Sequence, residues 1–165
     1  MKKILFVCTG NTCRSPMTQY IFDKRARERG IDDVQAYSAG IAASDGCKMS
    51  ENALTTLKEV YDIDASDFKS TRIRREMSFE YDYFFCMTVL HKLLLGELFA
   101  SSFEVTDKSA GKIFCISEFF GAEISDPYGE DAEGYKNTAL EIGKAADALI
   151  DKLFAKKLKK KIKRG

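Results

Sequence analysis

The sequence predicts an α/β fold, with a four-stranded parallel sheet covered by helices on both faces. Segments typical of strands alternate with segments typical of helices, and this order favours parallel strands joined by right-handed crossovers. The first strand-like segment, 3–8 (KILFVC), is an apolar run, as expected of a strand buried on both faces. The 165 residues are 45% hydrophobic and 12% aromatic, which suits one domain with its own core.

Each element has its own signal in the sequence. The strands are predicted at 3–8, 34–39, 81–87 and 112–117, and the helices at 16–29, 51–60, 88–99 and from about 132 into the tail. Pro16 and Gly30 mark the start and the end of the first helix. The buried face of the last helix is predicted to comprise Leu140, Ile142, Ala145, Ala146, Leu149, Ile150 and Leu153.

Charge and cysteine content narrow the classes of function. The net charge is +1, so strong attraction to nucleic acid is not expected. Seven basic residues lie in 156–164, and we interpret 156–165 as a basic, solvated helix end of a single domain spanning 1–165. The sequence shows neither a signal peptide nor an apolar run of about 18 residues. An odd number of cysteines, five, does not indicate a disulfide scaffold, so we expect a cytoplasmic protein.

The loop between the first strand and the first helix carries the strongest chemical signal. Cys8 opens this segment and Arg14 closes it, and the sequence continues into Ser15 and Pro16. Ligands of parallel sheets bind beyond the carboxyl ends of the strands, where a tight loop and a helix N-terminus both favour an anion. We therefore predict that Cys8 attacks a phosphorus atom while the Arg14 guanidinium holds two of its oxygens.

The other residues of this loop suit the same role. Gly10 and Asn11 permit a tight turn, the positive surroundings favour a cysteine thiolate, and Ser15 can donate a hydrogen bond to it. A lone cysteine at a strand end is usually a core residue, but the context here favours catalysis. Zinc is disfavoured, because Cys8 and Cys13 do not have the spacing of a zinc pair. The predicted phosphate-binding set is Thr9, Gly10, Asn11, Thr12, Cys13, Arg14 and Ser15.

A second loop supplies a candidate acid. Asp126-Pro127-Tyr128-Gly129 follows the fourth predicted strand, at the same edge of the sheet as Cys8. By itself Asp-Pro is an ordinary turn initiator. Together with the first loop, it predicts that Asp126 protonates the leaving group and then activates water. Tyr128 is a candidate wall of the substrate pocket, although a half-buried loop aromatic is an equal interpretation.

These motifs resemble those of the low-molecular-weight protein tyrosine phosphatase family. The resemblance extends from Lys3 to about Phe154 and is strongest in V-C-T-G-N-T-C-R-S-P-M at 7–17. The segments D-P-Y-G at 126–129, S-A-G at 38–40 and C-M-T at 86–88 are also similar to that family. The resemblance implies a flavodoxin-like fold, a cysteinyl-phosphate on Cys8, and no metal or cofactor.

The resemblance also has implications for individual residues. It implies that Cys13 forms a reversible disulfide with Cys8, which protects the thiolate; the alternative is that Cys13 only packs under the loop. Many members have a histidine before the third strand that supports the phosphate-binding loop. Phe68 occupies that region here, and we interpret the single histidine, His91, as a surface residue of the later helix.

Two substrates remain open within the family. Thr12 precedes the second loop cysteine, where tyrosine-directed members usually have a larger aliphatic residue. A threonine there is similar to the bacterial protein arginine phosphatases, and it leaves room for a phosphorylated guanidinium. Asp-Pro-Tyr at 126–128 instead resembles the tyrosine-directed enzymes. The sequence favours phosphoarginine narrowly, and we expect a monomer that acts on phosphorylated protein and binds neither nucleic acid nor membrane.

Two other classes of function are less favoured. A thiol-dependent arsenate reductase would need two further cysteines near the third strand, but Cys86 stands alone there in the sequence and Cys115 lies in a separate predicted strand. Leu93 and Leu94 occupy the places where a partner cysteine is expected. A non-catalytic phosphate-binding module would keep Arg14 without needing Cys8 or Asp126.

Overall fold

The predicted strands form one parallel sheet in the computed structural model, which describes residues 1–100 and 112–162. The strands are β1 (Lys2–Cys8), β2 (Val34–Gly40), β3 (Tyr83–Cys86) and β4 (Ile113–Cys115), in the order β2-β1-β3-β4. Cys8 lies beside Gly40, and Val7 lies beside Cys86. The carboxyl ends of β1, β2 and β3 therefore meet at one edge of the sheet.

The predicted helices are also present. They are α1 (Arg14–Glu28), α2 (Glu51–Tyr61), α3 (Val89–Ala100) and α5 (Ala132–Ile162), and α2 begins after Ser50, whose hydroxyl accepts a hydrogen bond from the Ala53 N–H. Two short helices were not predicted: α4 (Ser117–Phe120) and a 3₁₀ helix at Arg75–Phe79. α4 shortens the predicted fourth strand, because the chain turns into it directly after Ile116.

β1 divides the core because its alternate side chains point to opposite faces of the sheet. Ile4 and Phe6 pack with side chains of α1 and α5, whereas Leu5 and Val7 pack with Leu95 of α3 and with the 3₁₀ helix. Both faces of β1 are therefore buried, as the continuous apolar run predicts.

The long helix α5 departs from prediction at Leu140, which is 44% exposed. The predicted residues Ile142, Ala145, Ala146, Leu149 and Ile150 are fully buried. With about 3.6 residues per turn, Leu140 falls on nearly the opposite side of the helix from the stripe that they form. At the basic end of the helix, Lys157 is exposed and forms an ion pair with Asp33. Among the described residues, no helix has both the length and the apolar character required to cross a bilayer.

Candidate active site

The loop of residues 8–14, called here the 8–14 loop, is held through its backbone carbonyls by segments outside it. The carbonyls of Cys8, Thr9 and Thr12 accept hydrogen bonds from the N–H groups of Ile41, Ala42 and Ser50, at 2.9, 3.0 and 3.0 Å respectively. In a trans peptide the N–H and C=O groups point in opposite directions. The N–H groups that follow these carbonyls therefore point away from the supporting segments, and successive N–H groups of this kind form an anion-binding concavity.

Cys8 lies at the base of this concavity. Its side chain is buried, and its Sγ atom lies 2.9 Å from Ser15 Oγ and accepts a hydrogen bond of 3.3 Å from the Asn11 N–H. Both contacts hold the sulfur in place within the loop. The sulfur is thus placed where a nucleophile would meet the central atom of an anion bound by the loop.

Asn11 ties the 8–14 loop to three other parts of the chain. Its backbone is in the left-handed region, with φ of 54°, and its side chain is fully buried. The Nδ2 group donates to Ser15 Oγ and to Ser38 Oγ, both at 2.9 Å. The Oδ1 atom accepts a hydrogen bond of 2.7 Å from the Thr71 N–H. Donors and acceptors of this buried amide are thus well used, which fixes the turn at the tip of the loop.

The S-A-G segment at 38–40 supports the 8–14 loop. Besides its bond to Asn11, Ser38 donates to Gln19 Oε1 at 2.7 Å. A Cβ atom at Gly40 would lie 2.5 Å from the carbonyl oxygen of Thr9, closer than van der Waals contact permits. Glycine is therefore required at position 40, because the 8–14 loop rests directly on this backbone. Sequence reasoning noted this segment only as a resemblance and did not assign it a role.

Arg14 and Asp126 are brought together from loops that are far apart in the sequence. Arg14 Nη2 donates to Asp126 Oδ2 at 2.8 Å, and the arginine side chain is 8% exposed whereas the aspartate is 53% exposed. The other carboxylate oxygen, Oδ1, accepts from the Tyr128 N–H at 3.2 Å. The carboxylate is thus oriented by its own turn and faces the guanidinium that closes the 8–14 loop.

The remaining predicted site residues differ in exposure. Thr12 is half-buried, and its Oγ1 atom lies 3.8 Å from Cys13 Sγ. Cys13 is buried, with its sulfur 3.2 Å from Ser50 Oγ and 3.4 Å from Tyr135 Oη. Burial, together with the hydrogen bond to Cys13, raises the pKa of Tyr135 to about 12. Cys8 and Cys13 are both free thiols here, so the redox role of Cys13 stays a prediction.

Tyr128 extends into solvent. Its side chain is 83% exposed, next to the half-exposed Asp126 at the open side of the 8–14 loop. This exposure leaves the side chain available to contact a substrate, and its role as a pocket wall stays a prediction.

The interpretation of His91 as a surface residue was wrong. The His91 side chain is only 4% exposed, and its Nε2 atom lies 2.8 Å from Thr9 Oγ1. Its Nδ1 atom lies 3.0 Å from Thr88 Oγ1. Burial, together with the nearby positive charge of Arg14, lowers the pKa of His91 to about 4. The helical pattern around His91 gave no sign of this, because its polar partner lies in a loop 82 residues away.

The support of the loop near Phe68 also differs from expectation. Phe68 is buried in the core, where its ring packs edge-on against Tyr20 at 6.3 Å between centroids. The support that this region gives to the 8–14 loop comes from the Thr71 N–H, through Asn11. A backbone donor needs no particular side chain, which is why residue types alone did not identify it.

Two further cysteines are closer than their sequence positions suggest. Cys86 and Cys115, which the sequence placed in separate strands, are register partners on the adjacent strands β3 and β4. Both are buried, and burial raises the pKa of Cys86 well above its ordinary value. Because a raised pKa disfavours the thiolate, Cys86 is a poor candidate for the disulfide relay of an arsenate reductase.

Comparisons with known proteins agree with this geometry. The family model described as low molecular weight phosphotyrosine protein phosphatase matches residues 3–164. A protein-arginine-phosphatase of Geobacillus stearothermophilus is 33% identical over 154 residues, covering 92% of this chain and 95% of that protein.

Solved structures give the same picture. A low molecular weight protein tyrosine phosphatase from T. tengcongensis superposes with a TM-score of 0.81 at 40% identity, covering 92% of this chain and 99% of the other. The YwlE arginine phosphatase from Geobacillus stearothermophilus superposes with a TM-score of 0.83 at 31% identity, covering 96% and 97%. The similar proteins thus include enzymes named for each of the two candidate substrates.

Proposed function

Because this chain belongs to the low molecular weight phosphotyrosine protein phosphatase family and is a protein phosphatase, we propose that Cys8 is its nucleophile, Arg14 its phosphate clamp and Asp126 its general acid. The observation that carries this assignment is the convergence of the three residues. The Cys8 sulfur lies at the base of the 8–14 loop, and Arg14, which closes the loop, contacts Asp126 at 2.8 Å.

In the first step, Cys8 Sγ attacks phosphorus and the bond from phosphorus to the side-chain nitrogen or oxygen breaks. The inward N–H groups and the Arg14 guanidinium stabilise the charge that develops on the phosphoryl oxygens. Asp126, in its protonated form, gives its proton to the leaving atom, so a tyrosine oxygen departs as a hydroxyl and an arginine nitrogen departs as part of a complete guanidine group. The product of this step is a phosphate bonded to the Cys8 sulfur.

In the second step, water attacks this phosphate. The Asp126 carboxylate takes a proton from the water, and the sulfur–phosphorus bond breaks. Ser15 Oγ, 2.9 Å from the sulfur, donates a hydrogen bond to the departing thiolate and so lowers the barrier to its release. Free phosphate leaves, and Cys8 and Asp126 return to their starting protonation states.

The substrate we propose is phosphoarginine on a protein, with phosphotyrosine as the second candidate. Thr12 supports phosphoarginine, since its short side chain is half-buried in the 8–14 loop and its hydroxyl can accept a hydrogen bond from a guanidinium N–H. The 33% identical protein-arginine-phosphatase supports it as well. The 40% identical tyrosine phosphatase structure favours the second candidate, as does the Asp-Pro-Tyr segment at 126–128.

The test compares kcat/KM on matched peptides that carry phosphoarginine or phosphotyrosine. We expect a preference for phosphoarginine of about tenfold or more, because a hydrogen bond to a charged group contributes about 1.5 kcal/mol or more. Thr12→Ile should weaken or reverse the preference, and Thr12→Ser should keep it. Cys8→Ser is the blank. A preference for phosphotyrosine that Thr12→Ile leaves unchanged would contradict the proposed role of Thr12. If Cys8→Ser and Asp126→Asn both kept the wild-type activity, the catalytic assignment would be contradicted.

We also propose that the protein acts in the cytoplasm as a monomer on phosphorylated protein. The five free cysteines support a reducing compartment. Size-exclusion chromatography with light scattering measures the oligomeric state directly.

A further inference from the structure

We propose that His91 is a positioning residue that orients the Thr9 hydroxyl as a hydrogen-bond donor to a phosphoryl oxygen held in the 8–14 loop. The proposal rests on the proposed function, since it names a further contact within the same site. It starts from a buried histidine that the chemistry of Cys8, Arg14 and Asp126 does not use. His91 Nε2 lies 2.8 Å from Thr9 Oγ1, and Thr9 itself is exposed next to the nucleophile.

The hydrogen bonds around Thr88 permit the tautomer of the imidazole that carries its proton on Nε2. Thr88 Oγ1 accepts a hydrogen bond of 3.2 Å from the His91 backbone N–H and lies 3.0 Å from His91 Nδ1. A hydroxyl has one proton and two lone pairs, so Thr88 can accept from the backbone and donate its proton to Nδ1. The ring proton of a neutral imidazole is then on Nε2, which donates to Thr9 Oγ1.

This arrangement leaves the proton of the Thr9 hydroxyl directed away from His91. Its oxygen has accepted from Nε2, so its O–H is free to donate to an oxygen of a bound anion. The opposite tautomer would make Thr9 donate to Nε2 and present a lone pair to the anion. A phosphoryl oxygen repels a lone pair, so an anion in the loop selects the tautomer protonated on Nε2.

The surroundings of His91 keep the ring neutral, so only one of its two nitrogens carries a proton. Burial lowers the pKa of His91 to about 4, and Arg14 acts in the same direction. The carboxylates of Asp126 and Glu123 oppose this fall. At neutral pH the ring is therefore uncharged, and it determines the direction in which the Thr9 hydroxyl donates. The Thr9 O–H then adds one donor to the backbone N–H donors of the loop.

The first test measures the affinity for inorganic phosphate by calorimetry in a double-mutant cycle. Thr9→Val should weaken phosphate binding about tenfold, because one hydrogen bond to a charged group is lost, and Thr9→Ser should keep it. His91→Leu should weaken binding severalfold with threonine at position 9, and should cause no further loss with valine there. His91→Gln, whose amide can accept from Thr88 and donate to Thr9, should restore most of the affinity.

A second measurement uses the fact that the chain contains one histidine. In protein labelled with ¹⁵N-histidine, the two ring nitrogens report the tautomer directly. With phosphate bound, we expect the proton on Nε2 and an unprotonated Nδ1. A proton on Nδ1, or equal effects of His91→Leu with threonine and with valine at position 9, would overturn the proposal. Melting curves show whether His91→Leu folds. If this variant does not fold, the Thr9 variants and the labelled wild-type protein still test the proposal.

Failure of this inference is distinguishable from failure of the proposed function. If phosphorylated peptides were hydrolysed normally and substitutions at Thr9 and His91 left the affinity for inorganic phosphate unchanged, the positioning role alone would be overturned. Absence of both phosphate binding and hydrolysis in the wild type would overturn both.

Discussion

Asn11 is the residue whose replacement tests most directly how the 8–14 loop keeps its shape. Asn11→Ala removes three hydrogen bonds, to Ser15, Ser38 and Thr71. At about 1 kcal/mol net for each bond, this loss destabilises the fold by about 3 kcal/mol. Alanine at φ of 54° adds about 1 kcal/mol of backbone strain. The expected fall in the free energy of unfolding is therefore about 4 kcal/mol.

Thermal and urea denaturation measure this change. For a domain of this length each kcal/mol shifts Tm by about 2–4 °C, so Tm should fall by about 8–16 °C. Asn11→Gly is the matched control. It loses the same bonds but accepts the positive φ, and it should be about 0.5–1 kcal/mol more stable than Asn11→Ala.

Binding of inorganic phosphate gives a second readout for the same variants. Asn11→Ala and Asn11→Gly should both weaken it by an order of magnitude or more, because the inward N–H groups lose their fixed arrangement. The reasoning about this buried amide would be refuted if the free energy of unfolding of Asn11→Ala were within about 0.5 kcal/mol of the wild-type value and the variant bound phosphate equally well.

Two further predictions concern close packing and a buried carboxyl group. Gly40→Ala should lower the free energy of unfolding by about 1–3 kcal/mol and kcat/KM by more than tenfold, because its Cβ would displace the Thr9 carbonyl. The control is Gly96→Ala, which has open space around the new methyl group. Equal activity of the two variants would contradict the argument. Burial raises the pKa of Asp23 to about 6, so the native state holds a proton there that the unfolded chain releases near pH 4, and stability is lost as pH rises through 4–6. Asp23→Asn should therefore be more stable than the wild type in urea at pH 7 but not at pH 4; a difference independent of pH would contradict the assignment.

The parts of the structure that local patterns encode were predictable. The apolar run of β1 and the helical periodicity of α5 act over a few residues, and the 8–14 loop has its chemistry in consecutive positions. The 3₁₀ helix at Arg75–Phe79 was missed, because five residues are too few to show a period.

The contacts that support the site were less predictable, because they join distant positions. Ser38 and Thr71 lie 27 and 60 residues from Asn11, and His91 lies 82 residues from Thr9. Such pairs depend on how the strands are ordered and on where each loop leaves the sheet. The role of a buried histidine such as His91 therefore cannot be assigned from the sequence until its partner is known.

The outward-facing carbonyls of the 8–14 loop have a consequence for what the protein tolerates in solution. The carbonyl oxygens of Cys8, Thr9 and Thr12 accept hydrogen bonds from Ile41, Ala42 and Ser50, so the loop directs N–H groups toward a bound anion. Such a lining selects for negative charge and tetrahedral shape, but it distinguishes poorly between phosphorus and another central atom. Vanadate and arsenate should compete with substrate for this reason, and so should the phosphate that each turnover releases. The rate of dephosphorylation would then fall as its own product accumulates, which makes the enzyme sensitive to the phosphate status of its surroundings without any separate regulatory site.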